Sequence, residues 1–312
     1  MRAIRYHSWG EAPRVDEVPE PESGEGETIV AIAAATVAHL DRTIWSGRFL
    51  HPPPLPHVPG VEGAGTVVTS ATYEPGARVW IRGGGLGTAR AGTWCERVSV
   101  PDLALGPLPD DVGFALGSAF FSPCTSAWVA LHDVARVRPG ETVLVTGANG
   151  AVGSLVVQLA KDLGARVVAV VSSPDAADAV SVGVDTVIGI DGLARGTIQA
   201  DVLIDPVGGP VLAAALPLVR PGGRTVLVGY AAGTDLHLDL AAFVQRDVAL
   251  LPLNMIRREA AGRAAAPELL ARLGDGRLSL PVTAFGFDDA LSALDWLTGR
   301  GRRGRAVLTL DV

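Results

Sequence analysis

The fold of this chain is decided by residues 142–171, which read TVLVTGANGAVGSLVVQLAKDLGARVVAVV. The β-branched run at 142–146 is typical of a strand that is buried on both faces of a parallel sheet. A glycine-rich turn follows at 147–153, then a helical stretch at 154–163 and a second β-branched run at 166–171. Strand, turn, helix and strand make one βαβ unit, which predicts a doubly wound α/β domain.

The glycines of this turn have the spacing that suits a dinucleotide pyrophosphate. Gly147 permits a tight turn, Gly150 lets the backbone approach the phosphates, and Gly153 lets the helix pack closely on the strand. The start of the helix offers free N–H groups and the positive end of its dipole. The alternative is a tight βα turn that binds nothing. The predicted cofactor contacts are Gly147, Asn149, Gly150, Ala151, Val152, Gly153, Val207, Gly208, Gly229, Tyr230, Leu253 and Asn254.

The end of the second strand indicates which cofactor is bound. An acidic residue that binds a ribose 2′-OH would stand there, but the chain has Ser172 and Ser173 and no carboxylate. Two hydroxyls without a negative charge favour a 2′-phosphate, so we predict NADPH, with NADH as the alternative. A pocket that makes few contacts at this point would discriminate little between the two.

Three segments differ in pattern. Residues 1–112 are β-rich between Gly/Pro turns, residues 113–250 alternate strands with short helices, and residues 251–312 contain two helices and a last strand. The predicted strands are 28–33, 65–68, 78–81, 96–100, 142–146, 166–171, 186–188, 202–205, 224–230 and 306–310. The predicted helices are 116–134, 154–163, 211–219, 264–273 and 288–298.

Composition excludes several classes of protein. The 312 residues are 48% hydrophobic and 19% charged, which is typical of a globular chain long enough for two domains. The net charge is −7, and the basic residues cluster only at Arg300, Arg302, Arg303 and Arg305, so we expect no nucleic-acid partner. Without an apolar leader or a run long enough to span a membrane, the sequence predicts a soluble cytoplasmic protein with no membrane partner.

Six stretches along the chain carry a further pattern: LDRTIWSG (40–47), PGVEGAGTV (59–67), PGARVWI (75–81), PGETVLVTGANGAVGSLVVQLAKDLGARV (139–167), DPVGG (205–209) and GRAVL (304–308). With them the chain resembles the medium-chain dehydrogenase/reductase superfamily, and within it the zinc-independent quinone oxidoreductase group. The resemblance implies a GroES-like β-barrel domain from 1–112 and 251–312, with a Rossmann domain of residues 113–250 inserted. It also implies a homodimer, a small-molecule substrate and an active site in the interdomain cleft.

The same resemblance bears on metal binding. Zinc-dependent relatives place a Cys and a His ligand where this chain has Ala38 and Val61, and only Glu62 of that region could bind a metal. Catalytic zinc needs three protein ligands and an open position. We therefore expect no metal.

Candidate catalytic residues come from motifs that lie near the nicotinamide in relatives. His39 has an ordinary pKa suited to proton transfer near neutral pH, so it is our candidate proton donor; the alternative is a hydrogen-bonded histidine of the barrel. Asp41 matches an aspartate that holds loop N–H groups, and Ser126 matches a threonine whose hydroxyl lies near the nicotinamide.

Aromatic residues are candidate walls of a substrate pocket. Trp45, Phe49, Trp94 and Trp128 would suit a flat, conjugated acceptor, although ordinary core packing explains each of them equally well. The proline-rich stretch 49–60 predicts a surface loop with an exposed His57.

These inferences predict an NADPH-dependent, zinc-independent reductase of a quinone, an enone or an enoyl thioester. One alternative is an enoyl reductase that serves a single pathway of secondary metabolism. Another is a cofactor-binding homologue without redox activity, such as a cyclase, a sensor or a structural protein. Relatives usually carry Asn at the place of Ala38 and tyrosines at the places of Thr43 and Phe49, and their loss favours this second alternative.

Overall fold

The computed structural model of the protein describes residues 1–172, 183–196, 198–299 and 301–310. The chain divides into two compact units, of which the first comprises Met1–Phe121 and Leu270–Val312 and the second Ser122–Leu269. The first unit is therefore discontinuous in sequence. The domain boundaries predicted after residues 112 and 250 stay predictions.

The first unit is built on an antiparallel sheet whose longest strand, Glu27–Val37, pairs with three others. The described strands of the first unit are β1 (Arg2–Arg5), β2 (Arg14–Glu17), β3 (Glu27–Val37), β4 (Glu62–Thr69), β5 (Arg78–Arg82), β6 (Arg97–Pro101), β7 (Leu105–Pro107), β14 (Val282–Gly286) and β15 (Arg305–Thr309). Strands β1 and β2 pair only with each other in a separate two-stranded sheet. The main sheet has the order β14-β15-β3-β4-β5-β7, and β6 also pairs with β3. Alternate apolar side chains of β3, such as Val30 and Ile32, are fully buried in the core.

The end of the chain completes the sheet that its beginning starts. Strand β15 runs antiparallel to β3, with Ala306 opposite Val37 and Thr309 opposite Ala34. Strand β14 continues the sheet in parallel with β15. The C-terminal segment is therefore an integral part of the first unit.

The second unit contains a sheet of six parallel strands. They are β8 (Thr142–Val145), β9 (Arg166–Val171), β10 (Thr186–Gly189), β11 (Ala200–Asp205), β12 (Val219–Leu227) and β13 (Ala249–Pro252). The order β10-β9-β8-β11-β12-β13 confirms the predicted doubly wound parallel sheet. The winding direction reverses between β8 and β11, and a sheet of this type binds ligands beyond the carboxyl ends of its strands at such a point.

Four of the five predicted helices overlap α-helices of the structure, one is wrong, and the helices at His39–Trp45 and Leu240–Arg246 lie where none was predicted. The α-helices of the described residues are α1 (His39–Trp45), α2 (Phe114–Ala119), α3 (Phe121–Val129), α4 (Ala151–Asp162), α5 (Gly209–Ala215), α6 (Leu240–Arg246), α7 (Glu259–Gly274) and α8 (Ala290–Trp296). The single helix predicted at 116–134 is wrong, because that stretch is divided into α2, α3 and a π-helix at Ala130–Ala135. No helix of the described residues has the length and apolar character needed to cross a membrane.

Candidate nucleotide site and active site

The glycine turn lies between the carboxyl ends of β8 and β9. Gly147 has φ +56°, a left-handed conformation that glycine adopts without strain. The N–H of Gly150 donates to the Gly147 carbonyl oxygen at 2.9 Å, and the N–H of Ala148 donates to the Val170 carbonyl oxygen at 3.1 Å. These bonds fix the turn so that Gly150 is the N-cap of α4, with its backbone extended.

The three glycines have different reasons to lack a side chain. A Cβ at Gly153 would lie 2.1 Å from the Gly147 carbonyl oxygen, and a Cβ at Gly147 would lie 2.7 Å from Cγ2 of Val207. Both positions are closed by the protein itself. A Cβ at Gly150 would meet only the Gly147 carbonyl oxygen, at 3.2 Å, so the protein leaves room beside the free N–H groups of the helix. This cradle fits the pyrophosphate of a dinucleotide.

A second turn, at 205–209, is held by the buried carboxylate of Asp205. The Thr146 hydroxyl and the Gly208 N–H both donate to it, the latter at 2.8 Å. Burial raises the pKa of Asp205, and these hydrogen bonds oppose the rise. Gly208 has φ +75°, and a Cβ there would lie 2.8 Å from the Tyr230 Cα. The loops that follow β11 and β12 can therefore contact each other closely only through glycine.

The remaining predicted cofactor residues also follow the carboxyl ends of strands. Ser172 is exposed directly after β9, whereas Ser173 lies outside the described residues. Strand β12 ends at Leu227, earlier than predicted, so Gly229 and Tyr230 belong to the next loop, where Tyr230 is 72% exposed. Leu253 and Asn254 follow β13, and the Asn254 side chain accepts from the N–H groups of Ile256 and Arg257. The predicted residues thus share one edge of the sheet.

In the first unit, Asp41 is a fully buried carboxylate in the first turn of α1. Its two oxygens accept from the N–H groups of Ala38 at 2.7 Å and Gly60 at 3.0 Å, so it joins the end of β3 to the proline-rich loop. Burial raises the pKa of Asp41 to about 7, although the two N–H groups oppose the rise. These contacts suit the holding role that the resemblance implies for Asp41.

Asp41 makes the stability of the protein depend on pH. The folded state holds a proton on this carboxyl between about pH 4 and 7, whereas the unfolded chain has already lost it. Its contribution is therefore present at low pH and falls by roughly 1.4 kcal/mol for each pH unit across that window. We expect the free energy of unfolding of wild type, relative to that of Asp41→Asn, to decrease from pH 5 to pH 7 when both are measured by urea unfolding. A difference that is constant or grows with pH would contradict the assignment.

His39 stands at the start of α1 and remains partly exposed. The surrounding protein desolvates its ring, and the positive charges of Arg302, Arg305 and Arg42 add to this effect, which together lower the pKa of His39 to about 4. The prediction that His39 has its ordinary pKa is therefore wrong, and its ring is uncharged at pH 7. Its catalytic role stays a prediction, with the neutral imidazole as the species concerned.

The places of the two zinc ligands hold buried apolar side chains, Ala38 and Val61. Glu62 forms ion pairs with Arg305 and with Arg82, the latter at 3.7 Å. Within the ranges that the structure describes, no group of three histidine, cysteine or acidic side chains could hold a metal ion. The residues at these places therefore do not fit a catalytic zinc.

The four aromatic residues have different surroundings. Trp94 is fully buried, its indole N–H donates to the Thr36 carbonyl oxygen at 3.0 Å, and its ring meets Tyr6 edge to face. These contacts make Trp94 a core residue rather than a candidate wall of a pocket.

Trp45 and Phe49 are half-buried in the first unit. Trp128, in the second unit, stacks on His132 with ring centroids 4.2 Å apart. Ser126 is a nearly buried residue of α3.

The exposed position predicted for His57 is wrong. Its Nε2 lies 3.0 Å from the Gly87 carbonyl oxygen, its backbone pairs with Tyr6, and the residue is buried. Sequence reasoning also treated Arg302 and Arg305 only as part of a basic cluster and missed Arg42. The sequence alone gives no signal for this proximity, because it depends on the register of β15 on β3.

The fold and the glycine cradle define an enzyme class, the NAD(P)H-dependent oxidoreductases. The alcohol dehydrogenase GroES-like domain family matches residues 24–110, and the zinc-binding dehydrogenase family matches residues 151–272. The chain is 33% identical over 261 residues to the acrylyl-CoA reductase AcuI of Ruegeria pomeroyi, covering 79% of this chain and 78% of the relative.

Solved structures agree. A quinone oxidoreductase of Pseudomonas syringae matches 99% of both chains with a TM-score of 0.88 at 26% identity. A quinone oxidoreductase from Thermus thermophilus, whose structures include an NADPH complex, matches 99% of this chain and 100% of that chain with a TM-score of 0.83 at 30% identity. The chain belongs to the medium-chain dehydrogenase/reductase superfamily and, within it, to the quinone oxidoreductase-like group.

Proposed function

We propose that the protein reduces a conjugated carbonyl compound (a quinone, an enone or an enoyl thioester) with NADPH and without a metal. The observation that carries this proposal is a pyrophosphate cradle at Gly150 in a chain whose two zinc-ligand places hold Ala38 and Val61. A conjugated acceptor spreads the negative charge that arises on reduction over an enolate or a phenolate. Hydrogen-bond donors can stabilise such a charge without a metal ion. The acrylyl-CoA reductase and the quinone oxidoreductases among the relatives support this substrate class.

In this proposal the second unit holds the cofactor. The turn 147–153 and the N-terminus of α4 bind the pyrophosphate, and Asp205 keeps the turn 205–209 in shape. When bound, the nicotinamide supplies the hydride. His39, neutral at pH 7, donates a hydrogen bond to the carbonyl oxygen of the substrate, and Ser126 supplies a hydroxyl near the nicotinamide. The enolate or phenolate left by hydride transfer then takes one proton from solvent. The family resemblance supports a homodimer.

The preference for NADPH has a direct test. Ser172 directly follows β9, and the sequence has no carboxylate at positions 170–173, where an acidic residue would bind a ribose 2′-OH. We expect NADPH to bind more tightly than NADH by roughly 1–2 kcal/mol, the worth of one or two charge-assisted hydrogen bonds. Fluorescence titration of both cofactors measures this difference. Equal or reversed affinities would mean that Ser172 is not part of a phosphate site.

The reductase activity is tested with a panel of acceptors. Oxidation of NADPH is followed by its absorbance with a small quinone, an enone and an enoyl thioester, each beside its saturated analogue as the matched control. We expect oxidation with at least one conjugated member and none with the saturated analogues. Tight NADPH binding with no oxidation in any sample would favour the homologue without redox activity.

A further inference from the structure

Three arginines of the first unit gather where β3 leads into α1. Strand β15 runs antiparallel to β3 with Ala306 opposite Val37, and α1 begins at His39. The residues that precede Ala306 therefore pass beside the first turn of α1. This register brings Arg302 and Arg305, which are 263 and 266 residues later in the chain than His39, to the helix that carries His39 and Arg42.

Little negative charge compensates these arginines. Neither Arg42 nor Arg302 has a carboxylate partner among the described residues, and Arg302 donates only to the Gly299 carbonyl oxygen, at 2.7 Å. Arg305 pairs with Glu62, but that carboxylate is shared with Arg82. The positive charges lower the pKa of His39, and burial together with Arg42 lowers the pKa of Arg302. The cluster therefore carries excess positive charge.

Two donor atoms of this cluster, Nη1 of Arg42 and Nε of Arg305, are buried and have no hydrogen-bond acceptor within the part of the chain that the structure describes. A buried donor without a partner costs roughly 1–3 kcal/mol, and more for a charged group. The guanidinium of Arg42 also lies over the Trp45 ring, at 5.8 Å from its centroid, which restricts its position. Unsatisfied, oriented guanidinium N–H groups are what a carboxylate or a phosphate binds best.

We propose that Arg42, Arg302 and Arg305 form a binding site for an anionic group of the substrate, a carboxylate or a phosphate, beside His39. The assignment to the substrate rests on the proposed function, whereas the binding of an anion does not. The acceptor would then be an anionic conjugated carbonyl compound, such as an unsaturated keto acid or a thioester of a phosphate-bearing carrier. Simple neutral quinones would be poor substrates.

The anion site is tested without any turnover. Protein labelled at histidine is titrated with inorganic phosphate, and the pKa of His39 is followed by NMR. The variant His39→Gln assigns its signal among the six histidines. A bound anion offsets the arginine charges, so we expect the pKa of His39 to rise by at least about half a unit. In Arg302→Gln the pKa of His39 should already be higher without a bound anion, and it should rise less when the anion is added. Arg303→Gln, which changes an exposed neighbour, is the matched control and should behave as wild type. An unchanged pKa of His39 at saturating phosphate would overturn the site.

The assignment to the substrate is tested with a matched pair of enones, one neutral and one bearing a carboxylate or phosphate. The ratio of kcat/KM for the anionic enone to that for the neutral enone should exceed one. Each of Arg42→Gln and Arg302→Gln should reduce it by about 10-fold or more, the worth of one charge-assisted hydrogen bond. Arg303→Gln should leave the ratio unchanged. A ratio that does not respond to Arg42 and Arg302 would overturn the substrate assignment even if phosphate binds. If wild type reduces neither enone and no conjugated member of the acceptor panel, the proposed function fails, and the NMR titration still decides the anion site.

Discussion

Replacing Gly153 by valine is expected to lower the free energy of unfolding by roughly 3 kcal/mol or more, beyond the usual cost of overpacking. A Cβ at this position would lie 2.1 Å from the Gly147 carbonyl oxygen and 3.0 Å from the Ala148 Cα. Both are backbone atoms between β8 and α4, so no side-chain rotation can relieve the clash. Urea unfolding followed by circular dichroism measures the loss.

The control for this variant is Gly150→Ala in the same turn. Its Cβ meets only one atom, at 3.2 Å, and its backbone is extended. We expect a loss of about 1 kcal/mol or less, as for other unfavourable N-cap substitutions. If Gly153→Val were as stable as Gly150→Ala, the close packing of helix on strand would not be what requires glycine at position 153.

Gly150→Val is expected to weaken NADPH binding by about 100-fold or more while the protein stays folded, because the side chain fills the space beside the N–H groups that would hold the pyrophosphate. Gly150 has φ −77° and ψ 170°, a conformation that valine adopts readily. The loss of affinity is therefore separable from a loss of structure. Fluorescence titration with NADPH, beside urea unfolding, measures the two effects independently.

The chain offers a matched control in Gly113→Val. Gly113 is also an extended N-cap glycine, with φ −64° and ψ 152°, and nothing lies within 4 Å of the Cβ position. This variant should bind NADPH as wild type does. Wild-type affinity in Gly150→Val would mean that the glycine turn does not hold the pyrophosphate.

The nucleotide domain could be predicted in detail because its signals are local. The run at 142–146 and the glycines at 147, 150 and 153 specify strand, turn and helix within one short stretch, and β9 has the predicted bounds of Arg166–Val171. The sequence gives no sign that the predicted helix 116–134 is divided into α2, α3 and a π-helix. Its apolar density is the same in one helix as in three, and the π-helix at Ala130–Ala135 depends on how the turns pack.

The site in the first unit was less accessible to sequence reasoning because its chemistry depends on contacts between distant residues. The pKa of His39 is lowered by desolvation and by Arg302 and Arg305, which lie just before β15 and at its first residue, and the pKa of Asp41 is raised by complete burial. His57 is buried because the proline-rich loop pairs with Tyr6, which lies 51 residues earlier in the chain. Such effects require the register of the strands.

Deuteride transfer tests the central claim most directly. The protein is incubated with an unsaturated carbonyl acceptor and NADPH that carries deuterium at both hydrogen positions of the nicotinamide C4, and the product is analysed by mass spectrometry and NMR. The account predicts a product reduced at its conjugated double bond, with one deuterium on the carbon β to the carbonyl, from protein stripped of metal by chelators. Reduction that requires added zinc, or NADPH oxidation that leaves no deuterium in the product, would contradict it.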